Sequence, residues 1–330
     1  MAALLPEQSQ DLPVVVALGS VDPALVSGVL DGHCRFVAAP GEAELAVAEG
    51  AIARADARVD RALLRKAPAL RVIARTGVGT DLIDVPAATA RGIAVVITPG
   101  AGAAAVAEGA IGMALHLVKR FGPLTALVRE GRWAERAGVS VGDLDGATLG
   151  VVGYGRIGRR TASLAAAFGM RVLAYDPVSE PPADVRCASL GDLAAHSDVI
   201  TLHLPLTEQT RHLVDDAFLA QVRPGAVLVN CSRGGLIDTD AVWRALTDGR
   251  LSGVGLDVFD PEPPGRHPLY RHPDVVLTPH LMGLSRRATA ATFTAAARGV
   301  LDVLSGREPQ AVADPGWCSH RTKEITHDRN

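Results

Sequence analysis

The chain has 330 residues, 48% of them hydrophobic and 4% aromatic, with a formal net charge of −3. Its length suits two domains of ordinary size or one large one. The near-balanced charge makes no electrostatic case for nucleic acid or an anionic membrane surface. The scattered cysteines (Cys34, Cys187, Cys231 and Cys318) match neither a metal-ligand pattern nor a disulfide framework, which fits a reducing cytoplasm. The opening MAALLPEQSQDLP lacks the basic segment and long apolar core of a secretory signal, so none is expected. Residues 93–118 are strongly apolar, but Thr98-Pro99-Gly100 interrupts the run and Glu108 lies within it. A buried helix is expected there, not a membrane span.

From Pro13 the pattern alternates short apolar strands with helices. VVVALG is a strand, residues 23–30 a helix and CRFVAA a second strand. RVDRALLRKAPA is an amphipathic helix, RVIART a strand, and VPAATARG a short helix with Gly92 just past its end. GIAVVIT is another strand, TPGAGAAA has hinge character, and a long helix covers roughly 103–120 and continues past Gly122-Pro123 toward Trp133. Further strands are TLGVV (148–152), RVLAY before Asp176, DVITLHLP (198–205), AVLVNCS (226–232), GVGLDVF (253–259) and VVLTPH (275–280). Helices are expected over 161–169, around 210–222 and 238–249, and from Ser285 to Gly306. The polar last residues read as a loose tail. Strand–helix alternation throughout predicts an α/β protein with doubly wound parallel sheets.

The stretch VVGYGRIGRR at 151–160 places Gly153, Gly155 and Gly158 in G-x-G-x-x-G spacing between a strand and a helix. Asp176 ends the next strand, roughly 20 residues further on. In a dinucleotide site Gly153 makes the tight turn, Gly155 lets the backbone approach a pyrophosphate, and Gly158 allows close helix–strand packing. The helix N-terminus offers unpaired N–H groups to the phosphates, and Asp176 accepts from the adenosine ribose.

Downstream, three polar residues follow apolar strands, where ligands bind in open α/β sheets: Arg233 in NCSRGG, Glu262 in LDVFDPEPP and His280 in LTPH. A nicotinamide enzyme acting on a 2-keto or 2-hydroxy acid needs such a set. An Arg grips the carboxylate bidentately, a His gives or takes the hydroxyl proton, and a Glu behind the His orients it and favours its protonated form. Taken singly, Arg233 reads equally as a surface ion-pair former, His280 as a satisfied polar residue and Glu262 as loop surface.

The motifs RTGVGTDLID (75–84), TPGAGAAAVAE (98–108), REGRW (129–133), DLDGATLGVVGYGRIGRR (143–160), SDVITLHLPLTEQT (197–210), NCSRGGLID (230–238), LDVFDPEPP (256–264) and TPH (278–280) resemble those of the D-isomer-specific 2-hydroxyacid dehydrogenases. The resemblance implies a Rossmann NAD domain (100–283) inserted into a flavodoxin-like substrate domain (1–99 plus 284–315), with 316–330 as the tail. Hinges would lie near 99–102 and 282–284 and the site in the cleft. It implies the catalytic Arg, Glu and His roles for Arg233, Glu262 and His280. Arg156 and Ile157 would line the pyrophosphate turn. His203, Leu204, Pro205 and Thr210 would lie under the adenine side, and Cys231, Ser232 and Asp257 around the nicotinamide. Val78 and Gly79 would grip the substrate carboxylate through backbone N–H groups. It also implies a homodimer through the cofactor domain, with the 103–118 helix either in that interface or purely in the domain core.

Asp176 favours NAD over NADP, since a carboxylate there repels a 2′-phosphate and no Arg follows it in DPVSEPP. The substrate is a small-molecule 2-keto or D-2-hydroxy acid: hydroxypyruvate, glyoxylate, or a phosphoglycerate-like acid with a second anionic group. Arg75 is the candidate clamp for that group, or else an ion-pair partner of Asp81 or Asp84. Gly102 and Leu281-Met282 depart from the polar and small residues common in relatives. An NADH-sensing, corepressor-like binding protein on the same scaffold is the competing reading.

Overall fold

The structure, a computed structural model, describes residues 12–317. Residues 12–102 and 286–317 form one compact unit and residues 103–285 another.

The first unit contains β1 (Val14–Leu18), α1 (Ser27–Leu30), β2 (Arg35–Val37), α2 (Glu42–Val47), β3 (Ala48–Ala53), α3 (Arg61–Lys66), β4 (Val72–Arg75), α4 (Val85–Thr89) and β5 (Ala94–Val96). Its sheet is parallel in the order β2-β1-β3-β4-β5, the flavodoxin-like arrangement. Successive side chains of each strand alternate faces, so each strand is apolar on both. Val15, Ala17, Ile52 and Ala74 face Phe293, Ala297 and Val300, whereas Val16, Leu18, Ala51 and Ile73 face Leu64, Ala67 and Ala88.

Two elements of this unit, α2 and β3, carry no strand or helix pattern in the sequence. β3 is AEGAIA, poor in β-branched residues, yet it is a central strand. The packing explains the composition: a Cβ on Gly50 would lie 2.9 Å from Val300 Cγ1 of the helix crossing the sheet. Small residues admit that helix closely, and tertiary fit overrides strand propensity.

The second unit begins with α5 (Ala103–Val118) and α6 (Phe121–Arg129), joined at a 57° bend. The bend falls at Arg120, which has left-handed backbone (φ 55). Pro123 follows in the first turn of α6, where no intrahelical N–H is needed. No single helix among the described residues is long and apolar enough to cross a membrane. α5 buries Ala107, Ala110, Ile111, Met113, Ala114 and Leu117, so one face of it is domain core.

The rest of this unit is β6 (Thr148–Val152), α7 (Arg156–Ala167), β7 (Arg171–Tyr175), α8 (Leu190–His196), β8 (Val199–Leu202), α9 (Asp216–Gln221), β9 (Ala226–Asn230), α10 (Thr239–Thr247), β10 (Leu251–Leu256) and β11 (Val275–Leu277). The strands run parallel in the order β11-β10-β9-β8-β6-β7. Beyond β7, Arg186 forms a lone parallel bridge to Ala174, with Ala174 N donating to Val185 O at 2.6 Å and Cys187 N to Ala174 O at 2.8 Å. That bridge supplies the outer strand of a Rossmann sheet. The strand order reverses between β6 and β8, which opens a crevice at their C-terminal ends.

α9 is shorter than the helix expected over 210–222. Asp215 starts it by accepting from Phe218 N at 2.8 Å, and His212 just before has left-handed backbone (φ 50). The final helix, α11 (Arg286–Leu304), belongs to the first unit and packs on its sheet.

The tail expected from 316 starts later than that. Trp317 is 3% exposed, and its indole N–H donates to Gly92 O at 3.0 Å. Residues 311–313 pair antiparallel beside β5, which delivers the chain to that position. Residues 318–330 of the expected tail lie outside the described residues. Trp317→Ala should destabilise the first unit by about 3–5 kcal/mol, read as a lower urea midpoint. An unchanged midpoint would show that the indole is not part of the core.

Candidate active site

The three fingerprint glycines serve three different physical needs. Gly153 has φ +97, and a Cβ on it would lie 2.7 Å from the His203 carbonyl at the end of β8. Gly158 lies within α7, and a Cβ there would meet Gly153 O at 2.0 Å, so helix and turn could not close. Gly155 has an ordinary φ of −75° and nothing within 4 Å of its would-be Cβ. Neither strain nor crowding requires a glycine at 155. The open approach it leaves, at the N-terminus of a 12-residue helix, fits a phosphate group. Arg156 and Ile157 open that helix.

Asp176 follows β7 and accepts from the glycine turn. Burial alone would push its carboxyl up, but backbone N–H groups of Ser179, Val178 and Tyr154 (2.8, 2.8 and 2.7 Å) outweigh it and hold the group below its ordinary range. Tyr154 is the residue between the first two glycines, so the acid braces the turn itself. A pocket of about 290 Å³ opens beside it, lined also by Tyr175, Glu180, Arg186 and Cys187. Sequence spacing gave no sign of Arg186 here; the lone bridge to Ala174 brings it in. Its guanidinium pairs with Glu180.

After β8 come His203, Leu204 and Pro205. His203 Nε2 lies 3.1 Å from Thr201 Oγ1, while Nδ1 is buried with no hydrogen-bond partner among the described residues. The residue as a whole keeps some exposure, but its ring nitrogens are out of water, and that burial pushes the imidazole down to about 4. Thr210 spends its hydroxyl on its own loop, donating to Pro205 O (2.7 Å) and accepting from Thr207 N (2.7 Å). Any influence of Thr210 on a cofactor therefore passes through that loop.

After β9, Asn230 is fully buried and knits the next turn: its Nδ2 donates to Arg233 O at 2.8 Å, and its Oδ1 accepts from Ser232 N at 3.0 Å. Sequence reading missed this residue, although a buried Asn at a strand end is a recognisable turn signal. Ser232 donates its hydroxyl to Leu204 O, joining the β8 and β9 ends. Cys231, expected around the nicotinamide end, directly follows β9. Its side chain turns into the core, with Sγ 3.8 Å from Met113 Sδ, and burial, then the Asp257 charge, push the thiol up to about 12.

Arg233, Asp257 and His280 follow three adjacent strands, β9, β10 and β11, and Glu262 lies in the loop beyond β10. His280 Nδ1 lies 2.8 Å from Glu262 Oε2, and Glu262 Oε1 accepts from Phe259 N at 3.0 Å. Arg233 Nη1 donates to Ser232 O at 2.7 Å, which fixes the stem of the side chain. Asp257 Oδ1 accepts from Thr278 Oγ1 at 2.6 Å and Leu281 N at 2.9 Å, and its Oδ2 accepts from Met282 N at 3.1 Å, all around His280.

In the first unit, Arg75 closes β4, but two of its donors serve its own loop: Nε to Gly79 O at 2.9 Å and Nη1 to Thr76 O at 2.6 Å. Asp84, one of the two ion-pair partners considered for it, pairs with Arg61 at 3.3 Å. Val78 is half-exposed and Gly79 lies beside it in the braced loop. Arg54, which sequence reading passed over, follows β3 next to Arg75, since Ala53 and Arg75 are in register. Its Nε is buried without a hydrogen-bond partner among the described residues, and its guanidinium lies 5.8 Å over the Phe293 ring.

A Rossmann sheet, a three-glycine turn and an acid beyond the next strand define a dinucleotide-binding protein, and the Glu262–His280 pair on the same sheet edge adds an acid–base group. Residues 111–282 match the family described as D-isomer specific 2-hydroxyacid dehydrogenase, NAD binding domain. The D-3-phosphoglycerate dehydrogenase of Mycobacterium bovis is 39% identical over 311 residues, which are 91% of this chain and 59% of that protein. The hydroxypyruvate reductase of Thermotoga maritima is 40% identical over 70% of this chain and 76% of its own. A D-lactate dehydrogenase from Aquifex aeolicus, solved with NAD and lactic acid, superposes with a TM-score of 0.77 at 30% identity, covering 89% of this chain and 96% of that one. The chain belongs to the D-isomer-specific 2-hydroxyacid dehydrogenases. It spans 51–60% of the length of the phosphoglycerate dehydrogenases it matches.

The glycine assignments separate by experiment. Gly155→Ala should leave the melting temperature unchanged yet weaken NADH binding about tenfold or more, a cost of about 1.4 kcal/mol. Gly158→Ala should lower the melting temperature, as overpacking costs about 1–3 kcal/mol. Equal effects on both quantities in both variants would refute this division of labour.

His203 makes a signed prediction for pH. It is neutral in the fold and takes a proton near the ordinary imidazole value of about 6.5 once unfolded, so its contribution is whole above that pH and is lost as pH falls toward about 4. Stability should drop by up to about 1.4 kcal/mol per pH unit across that window. In urea titrations His203→Asn should flatten this slope relative to the unmodified protein. Parallel slopes would place the imidazole in water.

Proposed function

We propose that the chain catalyses reversible, NAD-dependent interconversion of a 2-keto acid and its D-2-hydroxy acid. The observation that carries this reading is the 2.8 Å contact between His280 Nδ1 and Glu262, on the sheet edge that also bears the glycine turn. When bound, the nicotinamide supplies or accepts hydride at C2 of the acid. The ionised Glu262 can only accept, so it keeps a proton on Nδ1 and leaves Nε2 to give a proton to the C2 oxygen or take one from it. The planar guanidinium of Arg233 suits bidentate capture of the substrate carboxylate. Gly153, Gly155, Arg156, Ile157 and Gly158 would hold the pyrophosphate and Asp176 the ribose, its charge selecting NAD over NADP. The pairing of Arg186 with Glu180 supports that selection, since it offsets the one guanidinium in the same pocket.

We assign recognition of the rest of the substrate to the first unit. The peptide N–H groups of Val78 and Gly79 are candidate carboxylate donors. Arg54 and Arg75 set two cations at neighbouring strand ends, which suits an acid with a second anionic group such as phosphate or sulfonate. Arg54, with its unsatisfied Nε, is the better clamp of the two, and Arg75 mainly braces the loop. The exposed Phe121, Val128, Trp133 and Val141 of the second unit support a homodimer through that unit. A cytoplasmic location fits the scattered cysteines.

NADH oxidation against hydroxypyruvate, phosphohydroxypyruvate, glyoxylate, pyruvate, a bulky aliphatic 2-keto acid and a sulfonated one tests the reading. Turnover is expected on at least one acid. His280→Ala should lower kcat by about 10²–10⁴ while sparing NADH affinity. Arg54→Ala should raise KM for the doubly anionic acids and leave the others alone. Activity surviving in His280→Ala would overturn the mechanism, and NADH binding without turnover on any acid would favour a sensing protein.

A further inference from the structure

We infer that Glu180 is a second determinant of NAD over NADP, acting by withholding the guanidinium of Arg186 from an adenosine 2′-phosphate; this rests on the reading of Asp176 as the ribose side of an NAD site. Asp176 alone makes an incomplete barrier. Its Oδ2 accepts from Tyr154 N at 2.7 Å, and its Oδ1 accepts from Val178 N and Ser179 N, both at 2.8 Å. Three N–H dipoles aimed at one carboxylate offset part of its charge, so its repulsion of a neighbouring phosphate is weakened. The same pocket of about 290 Å³ also holds a cation, Arg186. An Arg beside the ribose is the group that accommodates a 2′-phosphate, because a guanidinium matches phosphate oxygens bidentately.

Backbone contacts place Arg186 there. Val185 N and Arg186 N both donate to Pro182 O, at 3.1 and 3.0 Å, and the bridge to Ala174 ties this turn to β7 two residues before Asp176. The main chain thus fixes where the side chain starts, and Glu180 sets where it ends. Glu180 pairs with the guanidinium across the same pocket, and Pro181 confines Glu180 to extended backbone. As a stabiliser the pair is worth little, since the Arg186 side chain is 40% and that of Glu180 75% exposed. Its effect is on charge. With Glu180 ionised, the pocket presents two carboxylates against one guanidinium, and a phosphate must displace one carboxylate to reach the cation. A ribose 2′-hydroxyl is neutral and meets no such cost.

The test is the affinity for NADH and for NADPH, read by nicotinamide fluorescence, in the unmodified protein, Glu180→Gln, Arg186→Ala and the double variant. Glu180→Gln keeps the shape of the side chain and removes its charge. We expect NADPH to bind about tenfold or more tightly in that variant, so that the ratio of NADH to NADPH affinity falls by the same factor. Adding Arg186→Ala should restore the original ratio, and Arg186→Ala alone should leave NADPH binding weak. The gain should fade as salt is raised, because the new contact joins exposed charges. An unmoved ratio in Glu180→Gln would overturn the inference and leave Asp176 as the determinant. So would an equal fall in the double variant, which would show the Glu180 charge acting without Arg186. Binding is read without turnover, so a protein inactive on every acid would defeat the proposed function while still deciding this point. Failure to bind either dinucleotide would overturn both.

Discussion

Two sheets that are apolar on both faces impose the constraint from which the site follows. A strand whose neighbours lie on both edges and whose faces are covered by helices has no place for a charge. Polar side chains that must meet a ligand can only follow the last residue of a strand. In the 103–285 unit this brings the glycine turn after β6, Asp176 after β7, His203 after β8, Arg233 after β9, Asp257 after β10 and His280 after β11 to one edge of a single sheet. The parallel register aligns these ends to within a residue or two, so spacing along the chain becomes placement in space.

What holds that edge together is a set of hydrogen bonds from one strand end to the next. Tyr154 donates to Asp176, Ser232 to Leu204, and Asn230 to the Arg233 carbonyl, while Asp257 gathers the turn after β11. Most of these partners are main-chain groups. They set backbone conformation, and the side chains left over are the ones available for chemistry. The edge behaves less as a row of independent contacts than as a laced rim.

The glycine fingerprint, the acid beyond it and the strand-end Arg, Glu and His were legible because each combines a residue type with a local pattern. Less legible were features created by packing across the chain. β3 hides in AEGAIA because the requirement there is closeness to α11, and no local propensity reports that. Arg186 comes ten residues after Asp176 in a stretch with no strand pattern, and a single bridge makes them neighbours. Asp257 and Cys231 lay in the right motifs, but sequence gave no direction for their side chains. One points to the His280 turn and the other into the core. Trp317 was missed because the residues around it are polar, so the local average concealed one anchoring indole.

The inward turn of Cys231 carries a chemical consequence. Oxidants and electrophiles attack sulfur as the thiolate, and a thiol held near 12 supplies almost none at neutral pH. Although its neighbour in sequence is Ser232 on the site's edge, the sulfur rests against Met113 in a dry layer of the core. Peroxide or a maleimide arriving at the mouth of the site finds no reactive sulfur at this position. The strand end that carries Arg233 is thus shielded from one of the commoner routes by which enzymes are silenced during oxidative stress.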